Sequence, residues 1–280
     1  MAVRIIVDSS TDVSETYREK IREVPLSVCF GQTEYLDGVT LEKQEFYRKL
    51  VESDVLPTTG QATPVAFDAV FREVAAAGDS AVVITLASPL SGTYQSACLA
   101  AESYDNIYVV DGMTVAIGTG VLAEFAADLA EQGMEAEKIA EMVTLKREDV
   151  RVIALLDTLE YLKKGGRISK TVAFAGGVLN IKPVVTIQDG QVQLIGKARG
   201  SKNGNNLLVE KINESGGVDF SKPVLLGYTG LTSALLDKYE ADSSGLWQGH
   251  TEKLERCLLC SVIGTHVGPG AVAVAFFRKA

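Results

Sequence analysis

Histidine occurs twice and tryptophan once in 280 residues, and only four cysteines are present. That scarcity excludes several chemistries. The one CxxC, Cys257-Leu258-Leu259-Cys260, has no second such pair to complete a zinc site. It lies in an apolar run, where a free thiol packs as a small hydrophobe. Cys29 and Cys98 also sit in or near apolar runs, and all four are expected to be reduced thiols. No GxxxxGK[ST] phosphate loop occurs, so nothing points to ATP held in that way. Gly118-Thr119-Gly120 lacks the full spacing of a dinucleotide fingerprint. No uninterrupted apolar run approaches the roughly 18 residues that a membrane span requires. The first residues, MAVRIIVDSS, show no charged stretch followed by a long apolar one, and a cytoplasmic location is expected. Positive charge is in deficit: 27 Lys and Arg against 36 Asp and Glu leave a net charge of −9. Such a chain is poorly suited to coating nucleic acid or an anionic membrane, although a local basic pocket remains open.

What is present is an ordinary globular composition, 46% apolar, and long enough to build two cores. Val3 to Val7 reads as a strand, as do Leu26 to Phe30, Ala81 to Leu86 and Ile107 to Val110. Between them, 41–51, 64–77, 92–101 and about 115–129 carry helical patterns, with Pro64 at a helix start where its missing N–H costs little. This alternation predicts a parallel sheet covered by helices on both faces. After about residue 150 the pattern changes. Val152 to Leu156 reads as a strand and Leu159 to Lys164 as a short helix stopped by Gly165-Gly166. Asp189-Gly190 between two apolar runs predicts a hairpin of 183–187 with 192–196. Ser201 to Glu214 reads as a helix, and 224–226, 258–263 and 271–277 as strands. The expected fold is therefore α/β with two domains. Residues 1–150 form a Rossmann-like parallel domain, and 151–280 an α/β domain with mixed or antiparallel sheet.

Polar chemistry gathers at loops ahead of helices. Ser88-Pro89-Leu90-Ser91-Gly92-Thr93 follows a buried strand. A helix N-terminus there favours an anion, Ser91 and Thr93 add hydroxyl donors, and Gly92 permits close approach. The same residues also suit plain helix capping, and spacing does not separate the two readings. Pro57-Thr58-Thr59-Gly60-Gln61-Ala62-Thr63-Pro64 is a second hydroxyl-rich loop, in which Thr63 suffices as the cap and Thr59 is surplus. Cations collect in Lys163-Lys164-Gly165-Gly166-Arg167, where a helix end favours them anyway, and in Lys197-Ala198-Arg199-Gly200-Ser201-Lys202. His266 lies among glycines in Gly264 to Gly270, a setting that suits an exposed or locally bonded side chain as well as a proton-transfer group. Asp8 after the first strand suits a helix cap formed by Asp8 to Asp12.

Taken together, these stretches resemble the DegV family of bacterial fatty-acid-binding proteins. The matching segments run through almost the whole chain. They are 7–10, 57–64, 90–97 and 109–111, the long stretch Asp157 to Ser169, then Leu179 to Pro183, 197–200 and 266–270. The resemblance implies a palmitate-like long-chain fatty acid as ligand and no other cofactor or metal. Thr59 and Ser91 would hold its carboxylate. Gly92, Thr93, Arg167, Arg199 and His266 would surround the head group, and the tail would run into the first domain. It further implies a carrier with no ATP site of its own. That carrier would present its acid to a separate ATP-dependent fatty-acid kinase, and transient membrane contact is compatible with that role. Gly60, Ala62, Gly112 and Ala116 depart from the family pattern, where Ser, Pro, Ser and Ser are usual. An alternative from the residues alone is a hydrolase or acyltransferase with Ser91 as nucleophile and His266 as base. It lacks a G-x-S-x-G elbow and an evident triad acid.

Overall fold

The computed structural model describes residues 2–169, 180–250, 252 and 254–279. Leu179, one end of a matching segment, lies outside them. In chain order the first half runs β1 (Val3–Asp8), β2 (Ile21–Val24), β3 (Ser27–Phe30), β4 (Thr33–Leu36), α1 (Lys43–Glu52), β5 (Thr58–Gly60), α2 (Pro64–Ala76), β6 (Ser80–Thr85), α3 (Thr93–Ala101), β7 (Ile107–Asp111), α4 (Ile117–Glu131) and α5 (Ala136–Lys146). The second half runs β8 (Val150–Leu155), α6 (Glu160–Lys164), β9 (Ile181–Gln188), β10 (Gln191–Arg199), α7 (Ser201–Glu214), β11 (Val224–Tyr228), α8 (Ala234–Asp242), α9 (Ser244–Trp247), β12 (Glu255–Leu258), α10 (Ser261–Val267) and β13 (Val272–Phe277).

A parallel sheet in the order β2-β1-β6-β7 forms the first layer. Ile5 to Val7 and Ala81 to Ile84 are buried without alternation, as strands covered on both faces must be. A six-stranded mixed sheet, β10-β9-β8-β13-β11-β12, forms the second, with only β11 and β12 parallel. Its β9–β10 hairpin turns at Asp189 and Gly190, both at positive φ, as Asp-Gly requires. A small antiparallel sheet, β4-β3-β5, stands beside the first. The fold is thus the α/β arrangement expected, with one sheet drawn from residues before 112 and another from residues after 149.

Helix α4 is buried almost all round and packs between the two large sheets. Its glycines make that possible. A Cβ on Gly118 would stand 2.2 Å from Val152 Cγ2, and one on Gly120 would stand 2.1 Å from the Asp12 carbonyl oxygen. Gly118-Thr119-Gly120 is therefore a packing motif. No helix among the described residues is long and apolar enough to cross a membrane.

Two local expectations are corrected. Residues 258–263 are not one strand: β12 ends at Leu258, and α10 begins after Cys260, whose sulfur accepts the Ile263 N–H at 3.5 Å as the helix cap. The apolar residues on either side of Ser261 run on from the end of β12 into the start of α10, and so short an apolar run reads alike as buried strand or buried helix. Nor does Asp8 cap a helix. Its carboxylate takes Ser10 N–H, the Ser10 hydroxyl and Leu86 N–H, so it ties the end of β1 to the end of β6.

Candidate functional site

A cavity of about 440 Å³ lies between the two large sheets, within the roughly 300–1,000 Å³ range of small-molecule sites. Most of its wall is apolar. Leu26, Leu86, Leu90, Val115 and Ala116 come from the first half, and Val152, Ala154, Leu156, Leu162, Val185, Ile187, Leu259 and Ile263 are among those from the second. Strand alternation explains the second group. Val152, Ala154 and Leu156 share one face of the sheet, and Ala154 is paired to Ala273 on one side and Val185 on the other. The cavity is thus walled from both halves.

Polar side chains cluster at one region of that wall: Thr59, Gln61, Ser91, Arg167 and His266, with Gly92 between them. Contacts run through the group in sequence. Thr59 Oγ1 lies 2.9 Å from His266 Nε2. Arg167 donates Nη1–H to the Gly165 carbonyl at 2.7 Å and Nε–H to the Leu90 carbonyl at 3.2 Å. Ser91 Oγ lies 2.9 Å from Thr93 Oγ1 and accepts the Thr93 N–H at 3.3 Å. Thr93 Oγ1 in turn accepts the Ala62 N–H at 3.3 Å, while Gln61 Nε2 donates to Ser96 Oγ at 2.8 Å. The Ala62–Thr93 bond joins the two hydroxyl loops and the Gln61–Ser96 bond ties the first of them to α3, so both loops face one cavity.

Each polar group is held by its own element. Thr59 sits on β5, paired across β3 to Val28. Ser91 precedes α3, whose N-terminal residue Thr93 is fully buried and steadies Ser91 without lining the cavity. Ser91 does not cap α3 as expected: Gly92 stands at the N-cap, with no side-chain cap bond, and Ser91 takes only the Thr93 N–H. Thr63 caps α2, accepting the Ala66 N–H at 3.2 Å. His266 rides in the last turn of α10, and an acidic pair fixes that helix. Asp12 accepts Cys260 N–H at 3.2 Å and Asp37 accepts Ser261 N–H at 3.1 Å, a favourable place for carboxylates at a helix start. Lys43 completes the clamp, donating to Asp12 at 2.7 Å and to the Leu258 carbonyl at 3.0 Å. Neither Lys43 nor this buried acid pair was singled out in the sequence.

Burial, with the Arg167 charge adding to it, lowers the His266 pKa to about 4, so the imidazole is neutral. Its Nδ1 is buried and has no partner among the described residues. An N–H there would be left unsatisfied, so the proton belongs on Nε2 and points at Thr59 Oγ1. The Thr59 hydroxyl hydrogen is then free to be donated elsewhere. Arg167 spends two of its five N–H groups on carbonyls, and no carboxylate pairs with it among the described residues. The region therefore offers hydroxyl donors and a cation together, a set suited to an anion.

Of the seven residues expected at the head group, Thr59, Ser91, Gly92, Arg167 and His266 line the cavity, and Thr93 stands directly behind Ser91. Arg199 does not line it. It ends β10 with its side chain exposed, and its carbonyl accepts from Asn203 Nδ2 at 2.9 Å. Gln61 was passed over, although it lay inside the hydroxyl loop. His266 meets Thr59 rather than Ser91, so the paired nucleophile and base of the hydrolase alternative are not brought together.

The family model described as DegV, an uncharacterised protein family, matches residues 2–279. A DegV domain-containing protein of Caldanaerobacter subterraneus subsp. tengcongensis is 36% identical over 284 residues, covering 99% of each chain. A solved structure described as showing fatty acid binding of a DegV family protein from Thermus thermophilus superposes with a TM-score of 0.87 at 30% identity, covering 100% of both chains. A stearic acid-binding protein from Eubacterium ventriosum superposes with a TM-score of 0.84 at 27% identity, covering 99% of this chain and 98% of that one.

Proposed function

The chain belongs to the DegV family, and we propose that it is a carrier that binds a long-chain fatty acid and presents its carboxylate to a separate ATP-dependent kinase. The observation that carries this reading is the cavity itself, which joins a long apolar wall to one cluster of anion donors. A carboxylate taken out of water needs several donors or its charge is costly. Thr59 and Ser91 supply hydroxyls, Arg167 supplies unspent N–H groups, and the start of α3 adds the positive end of a helix dipole. The tail lies along the wall between the two sheets. Each buried methylene contributes ~0.8 kcal/mol, so about a dozen contribute on the order of 10 kcal/mol against the cost of association. In this reading residues 1–150 give the carboxylate loops and part of the tail wall. Residues 151–280 close over the head group with Arg167 and His266. The kinase brings ATP and the phosphoryl-transfer machinery, and the product is an acyl phosphate.

The test begins with denaturing extraction and mass spectrometry of the purified protein, which should release a long-chain fatty acid. Protein stripped of lipid should take up palmitate in a one-to-one titration. It should yield acyl phosphate only when an ATP-dependent fatty-acid kinase is added. No lipid on extraction together with no uptake of palmitate would overturn the proposal.

A further inference from the structure

Gly165 and Gly166 stand side by side at the end of α6, yet the structure gives them different reasons to be glycine. Gly166 has φ +71, a conformation that side chains disfavour, and a Cβ built on it meets nothing within 4 Å. Gly165 has φ −74 and ψ −10, ordinary helical values that alanine adopts readily. Its constraint is space. A Cβ at Gly165 would stand 2.3 Å from His266 Nδ1, 3.0 Å from His266 Cε1 and 3.2 Å from the Tyr161 carbonyl oxygen. The imidazole thus rests against the bare Cα of Gly165. The carbonyl of the same residue accepts Arg167 Nη1–H at 2.7 Å. One residue touches both charge-handling side chains of the polar cluster.

From this contact we propose that Gly165 is a positioning residue for the carboxylate site, and this rests on the fatty-acid reading above. Its missing side chain is the seat of His266, and its carbonyl anchors Arg167. With the imidazole seated, Nε2 reaches Thr59 Oγ1 at 2.9 Å and turns the threonine hydroxyl hydrogen away from His266. A methyl group at 165 pushes the ring out of its seat. The far end of a side chain yields more easily than the α6 backbone, so the ring swings and the bond to Thr59 is lost. The neighbouring contact is equally close. A Cβ on Gly268, just past α10, would stand 2.3 Å from the Tyr161 ring, so Tyr161 locks α6 against α10 and leaves the imidazole little room to follow.

The full-length, lipid-stripped protein is titrated with palmitate as wild type, Gly165→Ala, Gly166→Ala, His266→Ala and the Gly165→Ala/His266→Ala double variant. Loss of one oriented hydrogen bond corresponds to roughly five- to tenfold weaker binding, and that is the result expected for Gly165→Ala. Its melting temperature should change little, because the end of the imidazole rather than the backbone gives way. Gly166→Ala should do the reverse, losing melting temperature through strain while keeping its affinity. His266→Ala should weaken binding as Gly165→Ala does, and the double variant should be no weaker than His266→Ala alone. Wild-type affinity in Gly165→Ala, or losses that add in the double variant, would overturn the proposal. Should Gly165→Ala fail to fold, the double variant must fold as well as His266→Ala, and its failure would be equally fatal. The NMR signal of His266, one of only two histidines, reads the seat in ligand-free protein. It must shift in Gly165→Ala and stay in Gly166→Ala, even if palmitate proves not to be bound.

Discussion

Replacing Lys43 with Met removes the cation that makes a buried carboxylate tolerable. The Asp12 side chain is 0% exposed and that of Lys43 29% exposed, with Nζ 2.7 Å from Oδ1. Without the ammonium, Asp12 keeps only the Cys260 N–H at 3.2 Å, and the Leu258 carbonyl loses its donor. Breaking a buried pair from one side costs roughly 3–5 kcal/mol. Partial water access to Lys43 places this case at the lower end, about 3 kcal/mol. For a chain of this size that corresponds to a fall in Tm of roughly 6–8 °C. The pH dependence identifies the cause. Burial already raises the Asp12 pKa, and Lys43 opposes that shift. Removing Lys43 raises it further, so the folded state takes up a proton that the unfolded state, with a pKa of about 3.9, does not. The deficit should be greatest at pH 8 and shrink toward pH 5.5. Adding Asp12→Asn removes the stranded charge and should recover most of the loss. Thermal melts of the three variants at both pH values are sufficient. An unchanged Tm in Lys43→Met, or a loss equal at both pH values and untouched by Asp12→Asn, would refute the clamp as the fastener of α10.

The remaining expectations concern single side chains. Thr59→Val keeps the shape and loses the hydroxyl, and should weaken palmitate binding roughly five- to tenfold; Arg167→Met removes a charged donor and should cost about tenfold to a hundredfold. Calorimetric titration that ranked the two in the opposite order would contradict the assigned roles. Glu124 is buried and its pKa is raised to about 7, chiefly by burial, while it accepts the Ser14 N–H at 2.7 Å. Because the folded value lies above the unfolded one, stability should rise as pH falls from 7 toward 4.5. Glu124→Gln should flatten that slope and gain up to about 3 kcal/mol at pH 8, as urea melts across that range would reveal. In ligand-free protein the His266 Cε1 proton should show no titration above about pH 5, given a pKa lowered to about 4; a midpoint near the ordinary 6.5 would remove the neutral-imidazole assignment.

Much of the fold was legible because its strongest signals are local. The apolar, β-branched runs of β1 and β6, the Asp-Gly turn of β9–β10 and the full length of α7 follow from residue pattern alone. β2 escaped because Ile21-Arg22-Glu23-Val24 buries only its ends, too short an alternation to stand out from loop. α10 was mistaken for a strand because the apolar run from the end of β12 continues into its buried start, and seven residues are too few for a helical period to show. At the site, Thr59 and Ser91 stood out as hydroxyls ahead of helices. Gln61, Gly165 and the pairing of His266 with Thr59 depend on contacts between residues 35 to 207 positions apart, which no local pattern carries. Arg199 illustrates the converse. A cation in a family-like stretch looked equivalent to Arg167, yet only Arg167 turns its guanidinium into the cavity wall.

The placement of α10 explains why the polar cluster can exist at all. This helix follows β12 of the second sheet, but it packs on α1, β3 and β5 of the first half as well as on α6. Gly264 allows that approach, since a Cβ there would stand 2.5 Å from Phe46 and 2.8 Å from the Tyr47 hydroxyl. Tyr47 donates that hydroxyl to the Leu259 carbonyl at 2.9 Å, and Lys43 one turn earlier on α1 holds Leu258 and Asp12. One face of α1 therefore grips the segment leading into α10 at 258 and 259, and Asp12, itself held by Lys43, grips it at 260. The grip delivers His266 to Thr59, a residue of the other half, with an error small enough for a 2.9 Å contact. Loosening any of these holds should move His266 away from Thr59 while leaving Ser91, ahead of α3, and Thr93, on α3, untouched. The polar cluster thus has one part carried by the loops of the first half and one part, His266, carried by α10, and only the second is expected to respond to Lys43→Met.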